Sequence, residues 1–192
     1  ILDAAAGCVR ELGSSATLTQ VARALRAPSG SIYHRFGSRE EPFVALWLRS
    51  IRRFHERYLL ALAEPDPMRA AVDAALSIPR FCRKYPDDAA AMTLYRQDEL
   101  ARTAPESLRE EVAQVNDQVI GALTRLTRLL FGGSDPRSVE LVAIACQENP
   151  YALVRRHLGG SRVVPEWLDD VVRVSSSAIL TLRPTTGADR PS

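Results

Sequence analysis

Apolar residues return at three- and four-residue intervals along nearly the whole chain, and the two-residue alternation of strands is scarce. That pattern predicts an all-α protein of about nine helices. Ile1, Ala5, Cys8, Val9 and Leu12 share one stripe of a first helix over residues 1–12, and Gly13 follows as its stop. Thr17 to Gln20 has capping-box spacing, in which the Thr hydroxyl and the Gln amide satisfy each other's backbone donors. A second helix then runs to about Leu25, and a turn at Arg26 to Pro28 leads into a third near 29–35. Ser38 to Glu41 is a second capping box and opens a long fourth helix to about Ala63, with Pro42 tolerated in its first turn. Pro65 and Pro67 break the pattern, and a fifth helix runs to about Tyr85, with Pro79 inside it as a candidate kink. A sixth helix covers about 87–102. Pro105 starts a long seventh, closed by Gly132 and Gly133. Asp135 and Pro136 open an eighth, which reaches about Leu158 with a kink at Pro150, and a ninth spans about 164–182. The tail after Pro184 has no apolar content to dock and is expected to be disordered.

Residues 17–36 form a unit of their own. Val21 and Leu25 lie one turn apart and point the same way, as do Ile32 and Phe36, so these pairs are expected to close a small core against the first helix. The small Ala22 lets the two helices cross closely. Ser29, Gly30, Tyr33 and His34 are left on the outer side of the third helix: small at its amino end, polar and aromatic one turn later. A helix entering a major groove wants that order. No acidic residue stands between Glu11 and Glu40, while Arg23, Arg26, Arg35 and Arg39 all do. Residues 1–57 hold nine Arg against five acids in a chain of net charge +2, so the remainder is mildly anionic and the front suits an anionic partner. Tyr33 can give its hydroxyl to a phosphate, Arg39 offers a cation, and the free amides at the start of the fourth helix are expected to add an anion-binding end. Thr17 and Thr19 can reach a phosphate or a base edge.

Residues 1–47 resemble the amino-terminal domain of the TetR family of transcriptional regulators. The likeness is carried by Ile1 to Ala5, by Thr19 to Ala22, and above all by Ser29 to Glu40. The resemblance implies a helix-turn-helix DNA-binding domain over 1–47, a helical ligand-binding and dimerisation domain over 48–183, and a tail over 184–192. It implies a dimer that binds a palindromic double-stranded DNA operator as a repressor and is released by a small molecule. By position, Ser29, Gly30, Ser31 and His34 match base-contacting places, and Thr17, Tyr33 and Arg39 match phosphate-contacting ones. Arg26 stands where the family usually has Gly, and Pro28 where it favours Ser or Thr.

The rest of the chain carries no comparable motif. Val164, Leu168, Val171, Ser175, Ala178 and Leu182 have alternating four-three spacing, and Val139, Val142, Cys146 and Leu153 line the helix before. The spacing alone fits internal packing as well as a partner; the resemblance implies that the last two helices pair with their copies. It also implies an effector cavity, for which Phe81, Tyr85, Met92, Tyr95 and Trp167 are candidate lining and Arg96, Gln118, Gln147 and Asn149 candidate polar anchors. The fourth helix joins both regions and is the expected lever. Pro150 frees a backbone carbonyl that either serves a ligand or allows a bend.

Cys8, Cys82 and Cys146 lack metal-ligand or disulfide spacing and read as reduced thiols of a cytosolic protein. No cofactor or metal is expected. No apolar run is long enough to span a membrane and no signal peptide is visible; Ile1 in place of a methionine suggests a missing upstream arm. His34, His55 and His157 belong to no catalytic fingerprint, and the spacing does not gather Cys146, Glu148 and His157, so no enzyme is expected. A helical ligand-binding protein that has lost DNA binding stays open as the alternative. Lys84 is the only lysine among many Arg and Ala, a hint of a GC-rich bacterial genome.

Overall fold

The computed structural model describes residues 1–28, 30, 35–160 and 162–182. Among them every regular element is helical: α1 (Leu2–Leu12), α2 (Leu18–Ala24), α3 (Glu41–Leu62), α4 (Pro67–Lys84), α5 (Pro86–Ala91), α6 (Gln97–Thr103), α7 (Glu106–Gln114), α8 (Asp117–Phe131), α9 (Pro136–Ala143), α10 (Asn149–Val154) and α11 (Leu168–Leu180). Short 3-10 turns follow α1 and α10, and a π turn over Ile144–Glu148 links α9 to α10. Two compact units result. One holds residues 1–56, 81–117 and 157–164; the other holds 57–80, 118–156 and the segment from Pro165. Of the third expected helix only Gly30 and Arg35 are among the described residues, and the tail after Pro184 lies outside them. No described helix is long and apolar enough to cross a membrane.

In the first unit, α1, α2, the start of α3 and the end of α5 share a core of Ala5, Ala6, Val9, Leu18, Val21, Ala22, Leu46 and Ala91, with Phe36 and Phe43 packed against it. Small residues dominate, so the helices approach closely. Two expected core residues are corrected. Leu12 is 42% exposed and Leu25 39% exposed. Each sits at its helix's last turn, where the chain swings away from the core. A second core joins α3 to α6 and α7 through Val44, Trp47, Leu48, Leu100, Ala104 and Val112.

Two long helices expected here are each divided. The sixth stops at Ala91 and resumes at Gln97. The indole of Trp47 donates to the Met92 carbonyl (3.2 Å), and the Thr93 hydroxyl donates to the Ala90 carbonyl (2.7 Å). Both acceptors are thereby drawn from the ladder a continuous helix needs. The seventh breaks after Gln114. The Gln97 side-chain amide donates to the Val112 and Ala113 carbonyls (3.0 and 2.9 Å), and Asn116 donates to the Gln97 oxygen (2.8 Å). A distant side chain has replaced the next helical turn.

The second unit is built on Val72, Ala75, Leu76 and Val172, with Leu153 beside them. The expected eighth helix is interrupted, with a clear reason. Pro150 has no N–H, and the Asn149 N–H reaches back five residues to the Ile144 carbonyl. The Ala145 and Cys146 carbonyls are freed. The Ser176 hydroxyl donates to the first (2.7 Å) and the Tyr58 hydroxyl to the second (3.2 Å). The expected ninth helix is shorter, Leu168–Leu180, and turns a different stripe inward: Leu168, Val172, Ser176 and Leu180. Val171 is 39% exposed, Val174 68% and Leu182 53%.

Candidate nucleic-acid interface

Helix α2 is capped at both ends by its own sequence. Thr17 accepts the Gln20 N–H through its hydroxyl (3.4 Å), and the Gln20 side-chain oxygen accepts the Thr17 N–H (2.7 Å), so the capping box is complete. At the other end the Ala27 N–H reaches the Ala22 carbonyl and the Arg26 N–H reaches the Arg23 carbonyl, both at 3.1 Å. That pair of bonds is a Schellman motif, with Arg26 in its left-handed position at φ 52°. The unusual Arg is thus seated in the geometry that ordinarily selects glycine. The turn closes normally, and the side chain bears the strain of roughly 1 kcal/mol.

Arg23, Arg26, Arg35 and Arg39 are all exposed, as are Thr17, Thr19 and Gly30. Gly30 is helical, and a Cβ added there would meet nothing within 4 Å. Internal packing gives no reason for a glycine at that point. Ser29, Ser31, Tyr33 and His34 lie outside the described residues.

Two expectations need adjustment. The Thr17 hydroxyl proton is directed at Gln20 Oε1 (2.9 Å), so donating it to a phosphate requires releasing that bond. The start of α3 is not an open anion site. Ser38 Oγ accepts the Glu41 N–H (3.1 Å), and the Phe43 and Val44 amides bond to the Glu40 carbonyl. Pro42 has no N–H, and the Glu41 carboxylate accepts from Gly37 N–H and from the Ser107 hydroxyl. The first turn is filled by its own acid, leaving Arg39 as the cation there.

A buried polar cluster holds this region to the rest of its unit. Asp88, 4% exposed, accepts from the Ser50 hydroxyl (2.7 Å) and from Arg53 (2.6 Å), with Arg49 at 3.7 Å; Arg49 also reaches Asp3 on α1 (2.7 Å). Sequence reading passed over Asp88, because an acid just after Pro86 looks like ordinary first-turn charge.

The candidate effector residues fall into both units. In the first, Phe81 is 2% exposed and meets Phe54 edge-on and Tyr85 at a tilt, with ring centroids 5.4 and 5.2 Å away. Burial pushes the Tyr95 phenol up. Met92 lends its carbonyl to Trp47, and Arg96 is exposed beside Asp98 and Glu99. In the second, Gln147 hydrogen-bonds the Tyr58 phenol and Asn149 donates to Ser175 Oγ (2.7 Å). Gln118 is exposed, and Trp167 is 56% exposed. Cys146 is fully buried with its thiol pushed up to about 12, so it offers no thiolate nucleophile near neutral pH.

Residues 1–46 match the family model described as bacterial regulatory proteins, tetR family. No curated protein matches the chain. Among solved structures, a transcriptional regulator from Rhodococcus sp. Rha1 is 20% identical with a TM-score of 0.71, covering 95% of this chain and 97% of its own. The TetR family regulator PfmR from Thermus thermophilus is 20% identical at TM-score 0.70, covering 98% of each chain. The ketosteroid transcriptional regulator KstR2 of Mycobacterium tuberculosis is 19% identical at TM-score 0.69, covering 94% of this chain and 91% of its own. Residues 1–46 are therefore similar to the amino-terminal domain of the tetR family of bacterial regulatory proteins, and the chain as a whole has the fold of these regulators.

Proposed function

We propose that this protein is a transcriptional repressor that binds a palindromic operator as a homodimer and releases it on binding a small molecule. In this reading residues 1–47 bind DNA, residues 48–183 bind effector and dimerise, and the protein works in the cytoplasm without catalysing a reaction. The observation that carries it is the acid-free segment from Arg23 to Arg39. Its arginines are exposed, and the helix before the turn is locked at both ends by a capping box and a Schellman motif. Ser29, Gly30, Ser31 and His34 read base edges, Thr17, Tyr33 and Arg39 hold backbone phosphates, and Thr19 meets a phosphate or a base edge. Val171 and Val174 are exposed apolar residues one turn apart on the last helix, and Leu182 is exposed just past its end, which supports dimerisation through the last two helices. Two recognition helices then lie about one DNA turn (~34 Å) apart.

The test is a gel shift against the DNA flanking the protein's own gene at several salt concentrations. Real phosphate contacts give a steep fall of affinity with salt. Tyr33→Phe and Arg39→Ala weaken binding to every sequence, whereas His34→Ala changes preference among sequences. A folded dimer that shifts no DNA under any of these conditions would overturn the reading and favour a ligand-binding protein without DNA.

A further inference from the structure

Within the first unit lies a cavity of about 50 Å³ that includes none of the candidate effector residues. Arg10 of α1, Arg83 of α4, and His157 and Arg162 from the connection ahead of α11 line it, with Leu158 and Val164 among its apolar walls. Among the described residues no carboxylate lines it, so three arginines and no acid line one small concavity. Such a hollow with partly apolar walls concentrates positive potential.

Its wall is anchored to α1. Arg10 Nε donates to the Gly160 carbonyl (3.1 Å), and the Gly160 N–H donates back to the Arg10 carbonyl (2.8 Å). Gly159 and Gly160 hold φ of 82° and 61°, a left-handed pair that brings this connection against α1. Arg10 Nη1 pairs with Asp87 at 3.0 Å, just beyond the cavity lining. That carboxylate shows how an oxyanion engages this guanidinium.

We infer that this cavity is a binding site for a small oxyanion, a phosphate or carboxylate group, held by charge-assisted hydrogen bonds from Arg83 and Arg162 beside the anchored Arg10. The size sets the class. The volume is a few times that of one water and far below the ~300 Å³ of a drug-sized pocket, so the site takes a free small anion or one anionic head group. An occupant competes with Asp87 for Arg10 and thereby acts on α1, which packs against α2 in the same core. The site shares no lining residue with the candidate effector residues or the candidate DNA contacts.

The test uses the whole chain without DNA. Sodium phosphate and sodium isobutyrate are titrated against sodium chloride at matched ionic strength, with melting temperature and the Gly159 and Gly160 amide resonances as readouts. A saturable response to phosphate, to isobutyrate or to both, beyond that of chloride, is expected, and the responding anion names the source. Arg162→Gln and Arg83→Gln should each weaken it about tenfold, while Arg39→Gln at the amino-terminal arginine surface leaves it unchanged. Arg162 is exposed, so its replacement tests the site without threatening the fold. No saturable response beyond chloride overturns the proposal. So does a response lost in Arg39→Gln but kept in Arg162→Gln, which would put the anion on the DNA-facing arginines.

Discussion

Arg26 and Gly30 invert the usual expectation for their positions. Arg26 holds a backbone conformation that favours glycine, at φ 52°. Gly30 sits in a helix with open space where a side chain could go. Replacing Arg26 by Gly relieves the left-handed strain and loosens the unfolded chain, two opposing effects. The net expectation is a gain of up to about 1 kcal/mol, read from denaturant midpoints; a clear loss would mean the Arg side chain has a stabilising contact. Gly30→Ala should leave the fold intact or stabilise it by about 0.5–1 kcal/mol. If the helix backbone approaches DNA there, the same change weakens operator binding by about tenfold. Unchanged affinity would remove Gly30 from the interface. At this scale the sequence was highly legible, because turn chemistry and capping are local. Leu25 was misjudged for the same reason in reverse: periodicity ran on past the point where the cap turns the chain outward.

At the scale of elements, most departures come from side chains that take backbone carbonyls. Gln97, Trp47 and Thr93 end or divide helices whose own periodicity continues. The π turn before Pro150 is the clearest case, since Tyr58 and Ser176 serve the two carbonyls the proline and the wider turn release. Tyr58→Phe should therefore destabilise by about 1–2 kcal/mol, leaving the buried Cys146 carbonyl without its hydroxyl donor. Chemical denaturation checks this. A neutral substitution would show that the bulge satisfies itself. Pro150 was visible in the sequence, but its partners were not, because Tyr58 precedes it by 92 positions.

For the whole molecule, ionisation ties stability to pH. Burial lowers the His55 pKa below its ordinary 6.5, against an opposing hydrogen bond to the Val115 backbone. Its unfolded form therefore takes a proton first as pH falls. The contribution is fully present above 6.5 and is lost as the pH drops through that value toward the lower folded one. Melting temperatures between pH 7 and pH 5 should fall more steeply for the natural protein than for His55→Gln. Parallel slopes would assign the acid sensitivity to other groups. The charge asymmetry belongs to this scale too, with the cationic surplus in the first 57 residues facing outward through Arg23, Arg26, Arg35 and Arg39.

The sequence by itself determined the helical class, the caps of α2 and the acid-free arginine segment. These depend on neighbours within one or two turns, where spacing and residue chemistry are sufficient. The tertiary structure decided where long apolar runs break and which stripe of α11 faces inward. It also decided that Asp88 joins Ser50, Arg49 and Arg53, and that Arg10, Arg83 and Arg162 surround one cavity. Each of those outcomes turns on a carbonyl, a carboxylate or a cation meeting a group far away along the chain. Such meetings follow from packing, which leaves no periodic trace in the residues that take part.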